Sequence, residues 1–166
     1  MADLVVNLYE REYLKDSKIE LKNKELKIKR LLSPNADKLV EFVEENFSIG
    51  WASEVKAGIY KSNPSCFVAI DNGEIVGFAC YDATAKGYFG PTGVNPKYRG
   101  LNIGQVLLLT TLDAMRSDGY GYAIIGGVSD RVVGFYSKYC NVIKLDAKPD
   151  LYSRLINRWE KWILKR

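Results

Sequence analysis

YFGPTGVNPKYRGLNIGQVLLLTTLDAMRSDG, residues 88–119, is the stretch that decides the fold of this chain. Its first part, residues 88–94, is typical of a β-strand, and residues 96–104 are rich in turn formers. From Ile103 to Gly119, apolar side chains recur at nearly helical spacing, which predicts a helix with one buried side. The stretch therefore predicts a strand, a glycine-containing turn and a long helix.

The turn between this strand and this helix has the features of an anion-binding site. The first N–H groups of a helix lack intrahelical acceptors and lie at the positive end of the helix dipole. Gly100 and Gly104 have no Cβ, so a phosphate can approach the backbone closely, and Arg99 adds a positive charge. Neither G-K-[S/T] nor a G-x-G-x-x-G after a strand is present, which argues against two other phosphate-binding motifs.

Length and composition favour one globular domain and exclude several classes of chemistry. The chain has 166 residues, enough for one well-buried domain, and its net charge of +4 is too small and too interleaved with acids to predict a nucleic-acid partner. It contains no histidine, which excludes Ser-His-Asp and Cys-His catalysis. Its three cysteines have no C-x-x-C spacing, so we predict no metal site. No apolar run is long enough for a bilayer and the N-terminus does not resemble a signal peptide, so we expect a cytoplasmic protein without a membrane partner.

The remaining patterns predict alternating helices and strands around the central stretch. Ser33 followed by Pro34 predicts a helix start with Ser33 as the N-cap. Asn72-Gly73 between two apolar runs predicts a β-hairpin. The predicted strands are 4–9, 25–31, 66–70, 75–81, 88–94, 122–128 and 142–145. The predicted helices after the first are 51–60, 103–118, 130–139 and an amphipathic helix at 150–165.

The turn motif and the order of elements together resemble a known family. V-x-P-x-x-R-G-x-x-I-G, residues 94–104, resembles the acyl-CoA loop of the GNAT superfamily of N-acetyltransferases, whose R/Q-x-x-G-x-G/A amides bind the CoA pyrophosphate. Arg99 and Gly104 match its outer positions. Asn102 stands where the middle glycine usually lies, and Asn is the non-glycine residue that best tolerates a left-handed backbone. Residues 25–141 also follow the element order of the GNAT fold.

The resemblance implies an architecture and a cofactor. We expect one GNAT-like α+β domain over residues 1–166, with a mixed, mostly antiparallel central sheet and helices on both faces. Its family-like core is 25–141, flanked by an N-terminal strand segment and the 150–165 helix. The implied cofactor is acetyl-CoA, held by residues of the strand and the turn: Thr92, Gly93, Val94, Arg99, Gly100, Leu101, Asn102, Ile103 and Gly104.

The resemblance also implies that the sheet opens beside this strand. In the family the strand splays from its neighbour, and the pantetheine arm of CoA inserts between them. Gly90-Pro91 and Gly126-Gly127 lie on the two strands concerned. Proline removes a ladder donor and glycine permits a bulge or a close approach, so both dipeptides suit such an opening.

Acyl transfer from a thioester to an amine requires a neutral amine, a stabilised carbonyl oxygen and a proton for the departing thiolate. Phe135-Tyr136-Ser137-Lys138 resembles the family's F-Y-x-K stretch, whose tyrosine protonates the CoA sulfur, so Tyr136 is the predicted general acid. The predicted strand 88–94 contains no carboxylate to act as base. Glu54 and Asp82 are the candidate bases, with water as a third alternative, and Trp51 is a candidate wall of the acceptor site.

We therefore predict an acetyl-CoA-dependent N-acetyltransferase in which a primary amine attacks the thioester directly in a ternary complex. A non-catalytic acyl-CoA-binding or sensor domain is the alternative. In a third hypothesis the C-terminal helix, with Trp159 and Trp162, docks a partner or forms a homodimer. The sequence leaves the acceptor open among arylamines, polyamines, aminoglycosides, amino acids and protein amines.

Overall fold

The computed structural model of the protein describes residues 2–9, 19–146 and 150–156. Within these residues, seven strands form a single sheet and four α-helices flank it. The strands are β1 (Ala2–Asn7), β2 (Lys27–Arg30), β3 (Cys66–Asp71), β4 (Glu74–Tyr81), β5 (Tyr88–Val94), β6 (Tyr122–Val128) and β7 (Val142–Leu145). The helices are α1 (Ala36–Asn46), α2 (Ile49–Ile59), α3 (Ile103–Ser117) and α4 (Asp130–Tyr139).

The sheet is mixed and mostly antiparallel, as the sequence predicts. Its strand order is β2-β3-β4-β5-β6-β1-β7, and the one parallel pair in the described sheet is β5 with β6. The N-terminal strand β1 pairs antiparallel with β6 on one side and β7 on the other. Residues from the start of the chain therefore lie beside the strand that follows α3.

Two hydrophobic cores lie on opposite faces of this sheet. Alternate residues of a strand point to opposite faces. Along β4, Ala79 packs with Leu107 of α3 in one core, whereas Phe78 packs with Leu39 of α1 and Val55 of α2 in the other. We call the first face the α3 face and the second the α2 face. Residues of α4, including Tyr136, belong to the core on the α3 face.

The hairpin between β3 and β4 confirms the prediction made from Asn72-Gly73. Both residues have positive φ, +47° and +87°, as a two-residue turn of type I′ requires. The helix start at Ser33 is predicted wrongly. Residues Ser33–Asn35 form a 3₁₀ turn, and α1 begins at Ala36 without a side-chain cap. The proline fits the tight turn as well as an α-helix, since both use a similar φ.

The predicted C-terminal helix 150–165 is wrong over the residues that the structure describes. Leu151–Arg154 form a short 3₁₀ turn, and Leu155 has an extended backbone with φ −65° and ψ 140°. An apolar pattern alone does not guarantee a helix, because contacts with the rest of the fold also determine the conformation of so short a segment. Trp159 and Trp162 lie outside the described residues. Among the described helices, none has the length and apolarity needed to cross a bilayer.

Candidate active site

The sheet splits between β5 and β6. These two strands pair only at residues 88–89 with 124–125. Beyond that point, Gly90-Pro91 bulges out of the ladder with β4, and Gly126-Gly127 bulges out of the ladder with β1. A bulge inserts an unpaired residue and bends its strand, so the two bulges draw the strand ends apart. The opening that the sequence places at these two dipeptides is present.

A cavity of about 760 Å³ occupies the split and is lined from both faces of the sheet. From the α3 face come the start of α3 and Tyr136 of α4. From the α2 face come Trp51 and Glu54 of α2. The cavity therefore connects one face of the sheet with the other, and a molecule entering from each face can meet its counterpart in the middle.

Most of the residues predicted to bind the cofactor lie on this cavity. The lining includes Thr92, Gly93, Val94, Arg99, Gly100, Ile103 and Gly104. Leu101 and Asn102 are not part of the lining, and both make hydrogen bonds with the segment before β2 instead. The Leu101 carbonyl accepts a hydrogen bond from the Lys22 amide at 3.3 Å, and the Asn102 side-chain amide donates one to the Glu20 carbonyl at 2.9 Å.

The backbone of the turn is suited to an anion. Asn102 has φ +64°, the left-handed conformation that its place in the motif predicts. The first intrahelical bond runs from the Val106 amide to the Asn102 carbonyl, so the three preceding amides have no acceptor within the helix. A Cβ at Gly104 would lie 3.7 Å from its nearest neighbours, whereas Gly100, with φ +84°, has open space around it. These features fit the pyrophosphate of acetyl-CoA.

Tyr136 is buried in α4 and reaches the same cavity. Its ring makes edge-to-face contacts with Phe89 and Phe135, with ring centroids 6.2 Å and 5.2 Å away. Burial, and secondarily the thiol of Cys140, raises the pKa of the Tyr136 hydroxyl well above its ordinary value. The hydroxyl therefore stays protonated at neutral pH and can donate a proton to a stronger base in the cavity.

Glu54 is the one acidic residue in the described lining, and it stands on the α2 face. Burial raises the pKa of its carboxyl, and a hydrogen bond from Thr84, with 2.6 Å between Oγ1 and Oε1, partly opposes this shift. Asp82, the other candidate base, is not part of the lining. Its carboxylate accepts hydrogen bonds from the Gly87 amide at 2.7 Å and the Tyr120 hydroxyl at 2.6 Å. Asp82 therefore stabilises the turn before β5.

Aromatic rings wall the α2 face of the cavity. Trp51, which the sequence proposes for this role, lines it and packs against Phe47 with ring centroids 5.5 Å apart. Phe47 lies so close to Gly93 that a Cβ there would overlap its ring. The glycine in β5 thus permits the close approach of an aromatic wall to the strand.

Two residues near the cavity escaped the sequence analysis. Tyr152 lines the cavity from the 3₁₀ turn after β7. Asp3 is buried in β1, where its carboxylate accepts a hydrogen bond from the Gly127 amide at 3.0 Å. Asp3 had a detectable pattern, since it is an acid within an apolar strand. Tyr152 had none, because nothing in its local sequence distinguishes it from a residue of an amphipathic helix.

Comparison with known proteins identifies the family. A sequence model of the acetyltransferase (GNAT) family matches residues 29–141, well over half of the chain. The chain therefore belongs to the GNAT acetyltransferase family, and acetyl-CoA is the cofactor that this membership assigns. A search of curated protein sequences finds no significant match.

Solved structures agree on the fold. The GCN5-related glucosamine N-acetyltransferase region of a fungal multi-domain GH3 β-N-acetylglucosaminidase has a TM-score of 0.67 and 16% identity, over 86% of this chain and 20% of that one. A GCN5-related N-acetyltransferase from Sphaerobacter thermophilus has a TM-score of 0.63 and 18% identity, over 86% of this chain and 48% of that one. A GNAT family acetyltransferase from Brucella melitensis, in complex with acetyl-CoA, has a TM-score of 0.52 and 20% identity, over 68% of this chain and 82% of that one. The chain thus spans a fifth of the length of the first of these proteins and about half of the length of the second.

Proposed function

We propose that this protein transfers the acetyl group of acetyl-CoA to a primary amine, by direct attack of the amine within a ternary complex. The observation that carries the proposal is that one continuous cavity runs through the split in the sheet. It has an anion-binding turn and a buried tyrosine on the α3 face, and a carboxylate with aromatic walls on the α2 face. Donor and acceptor can therefore enter from opposite faces and meet between β5 and β6.

The residues divide into a binding group and a reacting group. Arg99 and the turn amides of residues 100–104 would hold the pyrophosphate, and Thr92, Gly93 and Val94 of β5 would lie along the pantetheine arm. Acetyl-CoA, when bound, supplies an acyl group on a thioester. The backbone of β5 beyond its bulge is free of a β6 partner, and such a strand can accept a partly extended ligand as a substitute neighbour.

Two side chains would move the protons. Glu54 would accept the proton of the incoming ammonium, because it is the one acidic side chain in the described lining of the cavity. Glu54 would pass this first ammonium proton to solvent before the neutral amine attacks.

Tyr136 would donate its proton to the departing thiolate, which is the anion that cleavage of the C–S bond creates in this buried cavity. Burial disfavours an anion there, so it raises the pKa of a thiol as it raises that of the Tyr136 phenol. As the N–C bond forms and the C–S bond breaks, sulfur would take the Tyr136 proton, and the second proton that nitrogen loses would go to Glu54. Exchange with solvent would then restore the proton of Tyr136 and remove that of Glu54, so that each turnover releases one proton.

The proposal is tested by calorimetric titration of the purified protein with acetyl-CoA, with CoA and ATP as controls. We expect acetyl-CoA to bind and ATP, which has phosphates without a pantetheine arm, to bind far more weakly. Release of the CoA thiol is then measured with a panel of primary amines. Binding without amine-dependent thiol release would favour the non-catalytic acyl-CoA-binding alternative, and failure to bind acetyl-CoA would remove the enzyme hypothesis altogether.

A further inference from the structure

Tyr152 enters the cavity from the α2 face. On β5, β6 and β1, the residues that belong to the core on the α3 face are Phe89, Ile125 and Leu4. Because neighbours in a strand point to opposite faces, Tyr88, Gly126 and Asp3 point to the α2 face. Tyr152 contacts this second set, since a Cβ placed on Gly126 would meet both the Tyr88 ring and the Tyr152 hydroxyl.

The glycine pair of β6 holds the Tyr152 ring in place. A Cβ on Gly127 would overlap the ring, and one on Gly126 would lie 3.0 Å from its hydroxyl. The ring therefore rests directly on the backbone of β6, at the bulge where the sheet splits. The Asp3 carboxylate stabilises the bulge by accepting a hydrogen bond from the Gly127 amide. Tyr152 is thus a wall of the cavity in a defined position.

Among the described residues, the charged side chains that act on the pKa of Tyr152 are carboxylates. Beyond the effect of burial, Glu54, Asp3 and Asp150 all lie near enough to raise the pKa of the Tyr152 hydroxyl. The one basic residue in the described lining is Arg99, which lies in the turn between β5 and α3. Carboxylates together with the aromatic faces of Trp51 and Tyr152 favour an organic cation and disfavour an anion.

We propose that Tyr152 is a specificity-determining residue that, together with Trp51 and Glu54, restricts the acceptor to slender primary amines of positive charge without a carboxylate. This inference rests on the proposed acetyl transfer. Its residue lies beyond the segment 29–141 that the family model matches, so the acceptor end is built in part by chain outside that segment.

The test compares three acceptors of equal chain length: pentylamine, the diamine cadaverine, and the amino acid δ-aminovalerate. Benzylamine serves as a bulky fourth. The variants are Tyr152→Ala, which opens the cavity, and Tyr152→Phe, which keeps the ring. Tyr60→Ala is the matched control, because Tyr60 is an exposed tyrosine at the end of α2 and is not part of the lining. Acetyl-CoA affinity is measured by calorimetry, and KM and kcat by thiol release.

We expect the unaltered protein to use cadaverine and pentylamine in preference to δ-aminovalerate. Tyr152→Ala should raise KM for cadaverine about tenfold, as expected for loss of an aromatic contact with a cation. It should also raise kcat/KM for benzylamine relative to that for cadaverine, and it should leave the affinity for acetyl-CoA unchanged. Tyr152→Phe should keep most of the preference, and Tyr60→Ala should change nothing.

The failures are distinguishable. If the unaltered protein does not bind acetyl-CoA, the proposed function is overturned and this inference falls with it. If acetyl-CoA binds and amines are acetylated, an unchanged acceptor profile in Tyr152→Ala would overturn the inference alone. A preference for δ-aminovalerate, or turnover of other primary amines but of none of these four, would overturn the assigned acceptor class while leaving the proposed acetyl transfer in place.

Discussion

The hydroxyl of Thr84 donates a hydrogen bond to the Glu54 carboxylate, with 2.6 Å between Oγ1 and Oε1. Thr84 follows β4 and Glu54 lies in α2, and both line the cavity. The bond lowers the pKa of a carboxyl that burial raises. It therefore sets how far above its ordinary range Glu54 titrates, and this relationship leads to two predictions.

The first concerns the pH dependence of turnover. A base must be deprotonated, so we expect amine acetylation to increase with pH as Glu54 titrates, above its ordinary pKa of about 4.3. Thr84→Val removes the bond that lowers this pKa, so the acid limb of the kcat/KM profile should move to higher pH. Ser53→Ala, at an exposed site of α2, is the control and should leave the limb in place. If the acid limb of the Thr84→Val profile does not move, a group other than Glu54 is responsible for that limb.

The second prediction concerns stability. Because the pKa of Glu54 is higher in the folded protein than in the unfolded chain, the folded state binds the proton more tightly, and stability falls as pH rises through that interval. Glu54→Gln removes the buried charge and keeps an oxygen that can accept from Thr84. We expect its Tm to exceed that of the unaltered protein by about 2 °C at neutral pH. At about pH 3.5, where the carboxyl is protonated in both states, the two values should agree.

That stability comparison is made by calorimetric melting at both pH values. Glu44→Gln, at an exposed position of α1, is the control and should show no such pH-dependent gain. A lower Tm for Glu54→Gln at neutral pH would contradict the assigned cost of burying the Glu54 charge. The same variant should also lower turnover by about a hundredfold if Glu54 is the general base.

The third prediction concerns Tyr136. Its raised pKa keeps the proton on the hydroxyl, so the side chain can act as an acid throughout the neutral range. Tyr136→Phe keeps the ring contacts with Phe89 and Phe135, and we expect turnover to fall by about a hundredfold with acetyl-CoA affinity and Tm unchanged. Tyr122→Phe, an exposed tyrosine on β6 outside the lining, is the control. Undiminished turnover in Tyr136→Phe would remove its assigned role as acid.

The fourth prediction separates binding from folding at the anion-binding turn. Gly104→Ala places a methyl group on the cavity lining without overlap, since its nearest neighbours would be 3.7 Å away. Alanine is the better helix former, so we expect a gain of about 0.5–1 kcal/mol in unfolding free energy together with weaker acetyl-CoA binding. Gly134 lies in α4, and a Cβ added there would have open space around it. Gly134→Ala should therefore raise the unfolding free energy without weakening acetyl-CoA binding. Equal acetyl-CoA affinities in the two variants would show that the backbone at Gly104 does not approach the cofactor.

Part of this molecule follows from local sequence. The Asn72-Gly73 hairpin and the left-handed Asn102 were predictable because turn geometry depends on which residues tolerate positive φ. Helix α3 was predictable because one buried side imposes a spacing on its apolar residues. The start of α1 and the predicted helix 150–165 were not, since a 3₁₀ turn and an α-helix make similar local demands and contacts within the fold choose between them.

The sequence by itself therefore determined the strands and helices from β2 to β7 apart from the start of α1, the anion-binding turn, and the family to which they belong. Only the tertiary structure decided that Glu54, rather than Asp82, lines one cavity with Tyr136, that Tyr152 also lines it, and that Asp3 binds the amide of Gly127 at the β6 bulge. These residues come from α2, α4 and the two ends of the chain. The order β5-β6-β1 and the bulges that part β5 from β6 bring them together. Such contacts join residues far apart in the chain, and neither spacing nor turn chemistry encodes them.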